Sequence, residues 1–192
     1  RWLAEDVEPP PSRYPKVADE TLVAPGMLRF PKIPGVEIPI RFNKAWRVDY
    51  GPEFLSKGIV TVEPPRLGKP FPTLVPQVDP DGNEIAGIKV PEVQVPLATA
   101  TGWNLRDPKI GAPREMYSLA GAWIPFPRTE AERREIRDPR ASVESRYKNR
   151  DDYLKRIEAA ARSLVQDGYL LERDVPALLD RSGGQWDYIM KR

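Results

Sequence analysis

Cysteine and histidine are both absent from the 192 residues. Without Cys there is no disulfide, no thiolate zinc site and no Cys nucleophile. Without His no imidazole base can be drawn from this chain, so a Ser-His-Asp triad cannot be completed within it. Long apolar runs are missing as well. The richest stretch, Leu119 to Phe126, is broken by Gly121 and Pro125 and falls far short of the roughly 20 residues that span a bilayer. Charge of one sign is also lacking: 30 basic against 28 acidic residues leave +2, and no basic face points to nucleic acid. "GKPFP" lacks the Ser or Thr of a phosphate-binding loop, and no serine has the flanking glycines of a nucleophile elbow. Arg1 to Asp6 has no apolar centre that would make it a signal peptide; it reads as the tail of an amphipathic helix and predicts a piece of a longer protein.

Proline is what the chain has in excess. Of 23 prolines only Pro176 lies beyond Pro139, a density in the first part far above the usual roughly 5%. Each Pro removes a ladder donor and fixes φ, which excludes long helices and central strands. A meander of short antiparallel strands is expected, with candidates at Val36–Phe42, Gly58–Val62, Thr73–Val78, Ile85–Val90 and Val93–Thr101. "QVDPDGNEIAGIKV" reads as a hairpin turning at Asp79–Asn83. A calcium loop over Asp79, Asp81 and Asn83 fails because the sixth position is Glu84 rather than Gly. "EPPPSRYP" suits a rigid linker after a helix end better than a ligand for an aromatic groove.

Beyond Pro139 the period becomes helical. Just before it, Thr129 and Glu132 form a capping box for a short helix over Glu130–Ile136. Ser142 caps a turn running to Tyr147. A long helix over Arg150–Asp167 places Tyr153, Leu154, Ile157, Ala160, Ala161, Leu164 and Val165 on one face and ends at Gly168. A last helix starts near Asp174 with Pro176 in its first turn, carries Leu178, Leu179, Trp186 and Ile189 inward, and is weakened by Gly183-Gly184. The fold class predicted is α+β, a Pro-rich meander followed by two or three C-terminal helices.

The charges of "RTEAERREIRDPR" read as a salt-bridged, solvated face rather than as paired catalytic carboxylates, and Asp151 and Asp152 suit a helix N-terminus. One stretch behaves differently. "VPLATATGWNLR" delivers Thr99, Thr101, Trp103, Asn104 and Arg106 to the end of a strand. Trp offers a flat apolar platform, Asn and Thr orienting hydrogen bonds, and Arg an anion clamp. The structural alternative is a tight turn at Gly102, with Trp103 as a plug and Arg106 bonded to Asp107 or a carbonyl.

The segments "EPPPSRYP", "VPQVDPDGNEIAGIKVPEVQVPLATATGWNLR", "AGAWIPFPRTEAER", "DPRASVESRY" and "LVQDGYLLERDVPALL" through "QWD" occur in this order. Over about Trp2 to Trp186 they resemble a bacterial family of α/β-hydrolase domain-containing proteins. One departure is Ala100, where the family pattern suggests an aromatic residue; a pocket there would be enlarged. The resemblance implies a serine hydrolase whose nucleophile and triad His lie upstream, so no catalytic residue is carried onto this chain. It implies a C-terminal extension of an α/β-hydrolase-like core, with residues 1–8 ending the core's last helix, 9–139 the Pro-rich region and 140–192 a helical hairpin, together one structural unit. The upstream hydrolase core is then the expected partner, an ester the expected substrate, and Thr99, Thr101, Trp103, Asn104 and Arg106 the expected pocket wall. No cofactor, metal, nucleic acid or membrane span is expected, and the protein would be soluble, cytoplasmic or exported. The competing expectation is a non-catalytic interaction or oligomerisation module anchored by exposed Trp and Tyr.

Overall fold

A computed structural model describes residues 2–191, apart from the Trp2 side chain. The expected helix end at the start of the chain is the short α1 (Trp2–Glu5), with Arg1 outside the described residues. In chain order follow β1 (Leu22–Val23), β2 (Trp46–Asp49), α2 (Phe54–Lys57), β3 (Arg66–Pro70), β4 (Val75–Pro76), α3 (Pro91–Gln94), β5 (Ala98–Thr101), β6 (Ala122–Pro125), α4 (Glu130–Ile136), α5 (Val143–Arg146), α6 (Arg150–Gln166) and α7 (Val175–Met190). The fold is α+β, as the two periodicities of the sequence imply.

The strands form three separate antiparallel pairs, β1 with β4, β2 with β3, and β5 with β6. Each pair contains a strand ending in proline: Pro76 opposite Leu22, Pro70 opposite Trp46, Pro125 opposite Ala98. Proline has no N–H to offer a further strand, which weakens the outer edge of β3, β4 and β6 for further pairing. Several expected strands are absent among the described residues. Val36–Phe42 is irregular, interrupted by Pro39. Gly58–Val62 is a loop whose Thr61 and Val62 amides both donate to the Tyr50 carbonyl, at 2.9 and 3.1 Å. Ile85–Val90 forms no strand; β4 pairs with β1, and the Ile85 amide donates to the Gln77 carbonyl at 3.0 Å. Val93–Thr101 divides into α3, with Pro91 at its first position, and β5.

The turn at Asp79–Asn83 is present but carries only a single bridge, Val78 to Glu84. Asp79 accepts from the amides of Asp81 (2.9 Å) and Asn83 (3.0 Å). Gly82 adopts φ +82° against Thr99, Phe30 and Pro31, a left-handed position that a side chain could occupy only with strain.

The helical end follows its local signals closely. Thr129 accepts from the Glu132 amide at 3.1 Å, while Glu132 reaches back to the Arg128 amide at 2.9 Å rather than to the cap itself. Asn149 caps α6 through the Asp152 amide at 2.9 Å. The other end of α6 closes with Gly168 at φ +80° and the Tyr169 amide on the Leu164 carbonyl at 2.8 Å, a Schellman arrangement. α7 runs unbroken through Gly183-Gly184. Gly183 is buried, and a Cβ there would overlap the Arg150 guanidinium, so close packing compensates for the low helix propensity.

One hydrophobic cluster joins the strand and helix regions: Leu97 and Phe126 flank β5 and β6, while Tyr153, Ile157, Ala161, Leu178, Trp186 and Ile189 come from α6 and α7. Tyr153 stacks on Trp186 at 5.3 Å between ring centres, and Tyr147 meets Tyr153 edge-on at 5.1 Å. The β2–β3 arm stands outside this cluster. All its strand residues are exposed, Trp46, Val48 and Leu67 among them.

Candidate functional site

The β5–β6 pair presents the segment that the sequence singles out. Its register sets Thr99 opposite Ile124 and Thr101 opposite Ala122. A buried guanidinium fastens the pair from one side. Arg140 donates to Thr99 Oγ1 (2.9 Å), to the Ile124 carbonyl (2.9 Å) and to the Pro125 carbonyl (3.1 Å), and through Nε and Nη2 to Asp138 (3.0 and 2.6 Å). These five contacts occupy all five donor hydrogens. Thr99, fully buried, also donates to the Asp81 carbonyl. Asn83, likewise buried, donates to the Ala98 carbonyl (3.2 Å) and accepts from the Ala100 amide (2.8 Å).

Past Thr101 the chain emerges. Thr101 Oγ1 donates to the Trp103 carbonyl at 2.5 Å and accepts from the Ala122 amide at 3.2 Å. Trp103, half-buried, lies against Phe30 with ring centres 5.5 Å apart. Residues 104–106 then pair with 115–117 through the bridge of Leu105 to Met116 and the Tyr117 amide on the Asn104 carbonyl at 2.7 Å. Asp107 caps the 3-10 turn Pro108–Ile110 by accepting from the Lys109 amide at 2.8 Å. That turn holds Arg106, whose Nε donates to the Gly111 carbonyl (3.0 Å) and Nη2 to the Ile110 carbonyl (3.1 Å).

Trp103 is the wall between two cavities. The larger, about 550 Å³, is lined by Trp103, Asn104, Arg106, Glu37, Arg114 and Ile124 among others, a size ordinary for a small-molecule site. The smaller, about 100 Å³, is apolar and lined by Leu28, Phe30, Phe42, Ala100, Thr101 and Met116 with Trp103. Of the five expected wall residues, Trp103, Asn104 and Arg106 thus meet in the larger cavity and Thr101 in the smaller. Thr99 lines neither, being committed to Asp81 and Arg140. Arg106 is bonded to carbonyls, as the structural alternative anticipated, yet still borders the cavity. Ala100 sits where a larger side chain would fill the small apolar space.

Nothing in either cavity resembles a nucleophile with its base. Ser142 and Ser182 are fully buried, Ser142 as the cap of α5. Among the described residues no group of three or more Asp and Glu could hold a metal, and no helix is long and apolar enough to cross a membrane. Residues 1–180 match the family described as alpha/beta hydrolase domain. The chain belongs to this alpha/beta hydrolase domain family. No curated protein and no solved structure matches it. A serine hydrolase of the α/β type carries its nucleophile at the end of a larger sheet; the described residues of this family member contain only two-stranded antiparallel pairs.

The surface reading of "RTEAERREIRDPR" holds for its first part. Arg133 pairs with Glu130 at 2.6 Å and Arg128 with Glu132 at 3.1 Å. Hydrogen bonding from Arg133 holds the Glu130 carboxyl below the usual carboxylate range. Burial pushes Glu132 up, but hydrogen bonds from the Arg128 amide and guanidinium outweigh it, and its carboxyl also ends low. Asp138 and Arg140, at the end of the same run, are each only 2% exposed. Sequence reasoning missed this pair. The charges flanking Pro139 give no local signal that sets them apart from the solvated part of the run, and only the packing of the β5–β6 pair over them decides their burial.

Proposed function

We propose that the protein contributes the substrate-pocket wall of a serine ester hydrolase whose nucleophile and general base are supplied from outside these 192 residues. The observation that carries this reading is the cavity of about 550 Å³ at Trp103, Asn104 and Arg106 in a member of the alpha/beta hydrolase domain family that has no His. Such an enzyme works through an acyl-enzyme whose oxyanion is stabilised by fixed donors. This chain supplies none of those groups and is inactive alone. Its part is to shape the acyl or alcohol side of the site: the indole of Trp103 as platform, Asn104 as an orienting amide, Arg106 as a fixed cation. Hydrolase core and pocket wall would be one functional unit, with the core as the partner that this surface meets.

The test is Trp103→Ala in the complete hydrolase, assayed with short acyl esters. A fall in kcat/KM of about tenfold or more, beyond any change in melting temperature, supports the reading, on the scale expected when a large aromatic contact is lost. An unchanged kcat/KM with only a lower melting temperature would reduce Trp103 to packing.

One observation favours a second reading, a non-catalytic interaction or oligomerisation module. The β2–β3 arm places Trp46, Val48 and Leu67 on one exposed face, and contiguous exposed apolar surface marks contact sites. Deleting the arm separates the readings: loss of association with unaltered turnover favours the module.

A further inference from the structure

The two cavities that share Trp103 differ in charge. The larger is bordered by Arg106 and Arg114 and by one carboxylate, Glu37, a balance of two positive to one negative. Neither arginine forms an ion pair among the described residues. Arg106 is instead fixed along one edge: Nε and Nη2 donate to the carbonyls of Gly111 and Ile110. A guanidinium has five donor hydrogens in a rigid fork. The two bonds use two of them, and the opposite edge, made by Nη1 with the second hydrogen of Nη2, makes no bond among the described residues. A cation locked on its back edge by main-chain carbonyls loses little rotamer freedom when its front edge meets a ligand. Trp103 stands in the wall of the same cavity.

We propose that this cavity binds an organic carboxylate. The carboxylate sits on the free edge of the Arg106 guanidinium as a bidentate pair, Arg114 adds the second positive charge, and the apolar body of the ligand lies on the Trp103 indole. Glu37 opposes a second negative charge, so the preferred ligand is a monoanion. The inference rests on the cavity's being a substrate pocket and names its substrate class: esters whose acyl or alcohol part bears a free carboxylate.

Benzoate and its neutral isostere benzamide distinguish the possibilities, titrated into the 192-residue protein and followed through the indole N–H resonance of Trp103. That resonance is assigned from Trp103→Phe. Benzoate should bind about tenfold more tightly than benzamide, and Arg106→Met should weaken benzoate by about tenfold while moving benzamide less than about twofold, as a charge-assisted bond requires. Arg106→Lys should recover only part of the loss because it keeps the charge without the fork, and Arg114→Met should weaken benzoate by about two- to fivefold and leave benzamide unchanged, as loss of a nearby exposed charge requires. Since Arg106 also holds the 3-10 turn, the exposed Arg114 keeps the test valid if the Arg106 variants melt early. Added salt should weaken benzoate alone. Equal binding of the two ligands, or arginine variants that leave their ratio unchanged, overturns the carboxylate inference and leaves the pocket standing. If neither ligand moves the Trp103 resonance, the carboxylate inference fails and the pocket reading loses its support with it.

Discussion

Arg140 and Asp138 are joined side by side inside the protein, Nε to Oδ1 at 3.0 Å and Nη2 to Oδ2 at 2.6 Å, with both residues only 2% exposed. The remaining donors of Arg140 end on Thr99 and on two carbonyls of β6. Removing one member leaves the other as an unpaired buried charge. Arg140→Met should cost about 3–5 kcal/mol of stability, the range for breaking a buried pair. Asp138→Asn should be damaging as well, and the double replacement less so than the sum. Denaturant unfolding of the two single variants and the double variant checks this; additive effects would mean that the pair does not act as a unit.

Thr99 is held by the same network, and its hydroxyl lines neither cavity at Trp103. Thr99→Val keeps the shape and removes the hydrogen bonds to the Asp81 carbonyl and Arg140. A loss of about 1–3 kcal/mol is expected from the unsatisfied buried partners. Benzoate binding at Trp103 should be unchanged; a large change in binding at equal fold would return Thr99 to the pocket wall.

Phe126 links the two regions of the chain. It is 2% exposed, packs in the cluster shared with α6 and α7, and lies beneath the guanidinium of Arg146 at 4.2 Å. Phe126→Ala should cost about 3–5 kcal/mol, as large-to-small changes in well-packed cores do. If the strand region and the helical hairpin melted in two separate steps in the parent chain, this linking role would be wrong.

Alkaline pH should destabilise the protein through its buried phenols. Burial pushes Tyr147 up to about 12, with the charges of Arg146 and Arg156 opposing it; burial also pushes Tyr153 up, reinforced by Tyr147 and Glu92. A phenol in the unfolded chain ionises near about 10. The folded state therefore keeps its proton to higher pH. The stability this contributes is complete below about pH 10 and is lost as pH rises through the folded value. Absorbance titration should find two of the seven tyrosines ionising only on unfolding. A single smooth titration of all seven near about 10 would contradict the burial argument.

The acid side has the opposite sign. Hydrogen bonding from the Lys148 amide, then from Arg156, holds the Asp152 carboxyl below its ordinary range, and Glu130 and Glu132 are also held low. Their contribution is present above the unfolded values near about 4 and is lost as pH falls through the folded ones. These carboxylates are only partly buried, and salt should shrink the effect. Melting temperature followed from pH 6 downward, with and without added salt, measures it; the same acid slope at both salt concentrations would rule this origin out.

Features confined to a few consecutive residues are legible in the sequence by itself. The caps at Thr129, Ser142 and Gly168, the inward face of α6 and the shortness of the strands all follow from interactions within about one helical turn or from the missing N–H of proline. The lack of an imidazole base is decided by composition alone. Strand partners are not legible: Val36–Phe42, broken by Pro39, and Ile85–Val90 form no strand, and β4 pairs instead with Leu22–Val23 some 50 residues away. Nor does the sequence distinguish the surface pair Arg133–Glu130 from the buried pair Arg140–Asp138: an arginine and a carboxylate at short spacing make both. Only the closure of long loops brings Asp81, Thr99, Ile124 and Arg140 together and raises cavity walls around Trp103. That closure is driven by non-directional burial of apolar surface, which leaves its mark on the packed chain and not on any short run of residues.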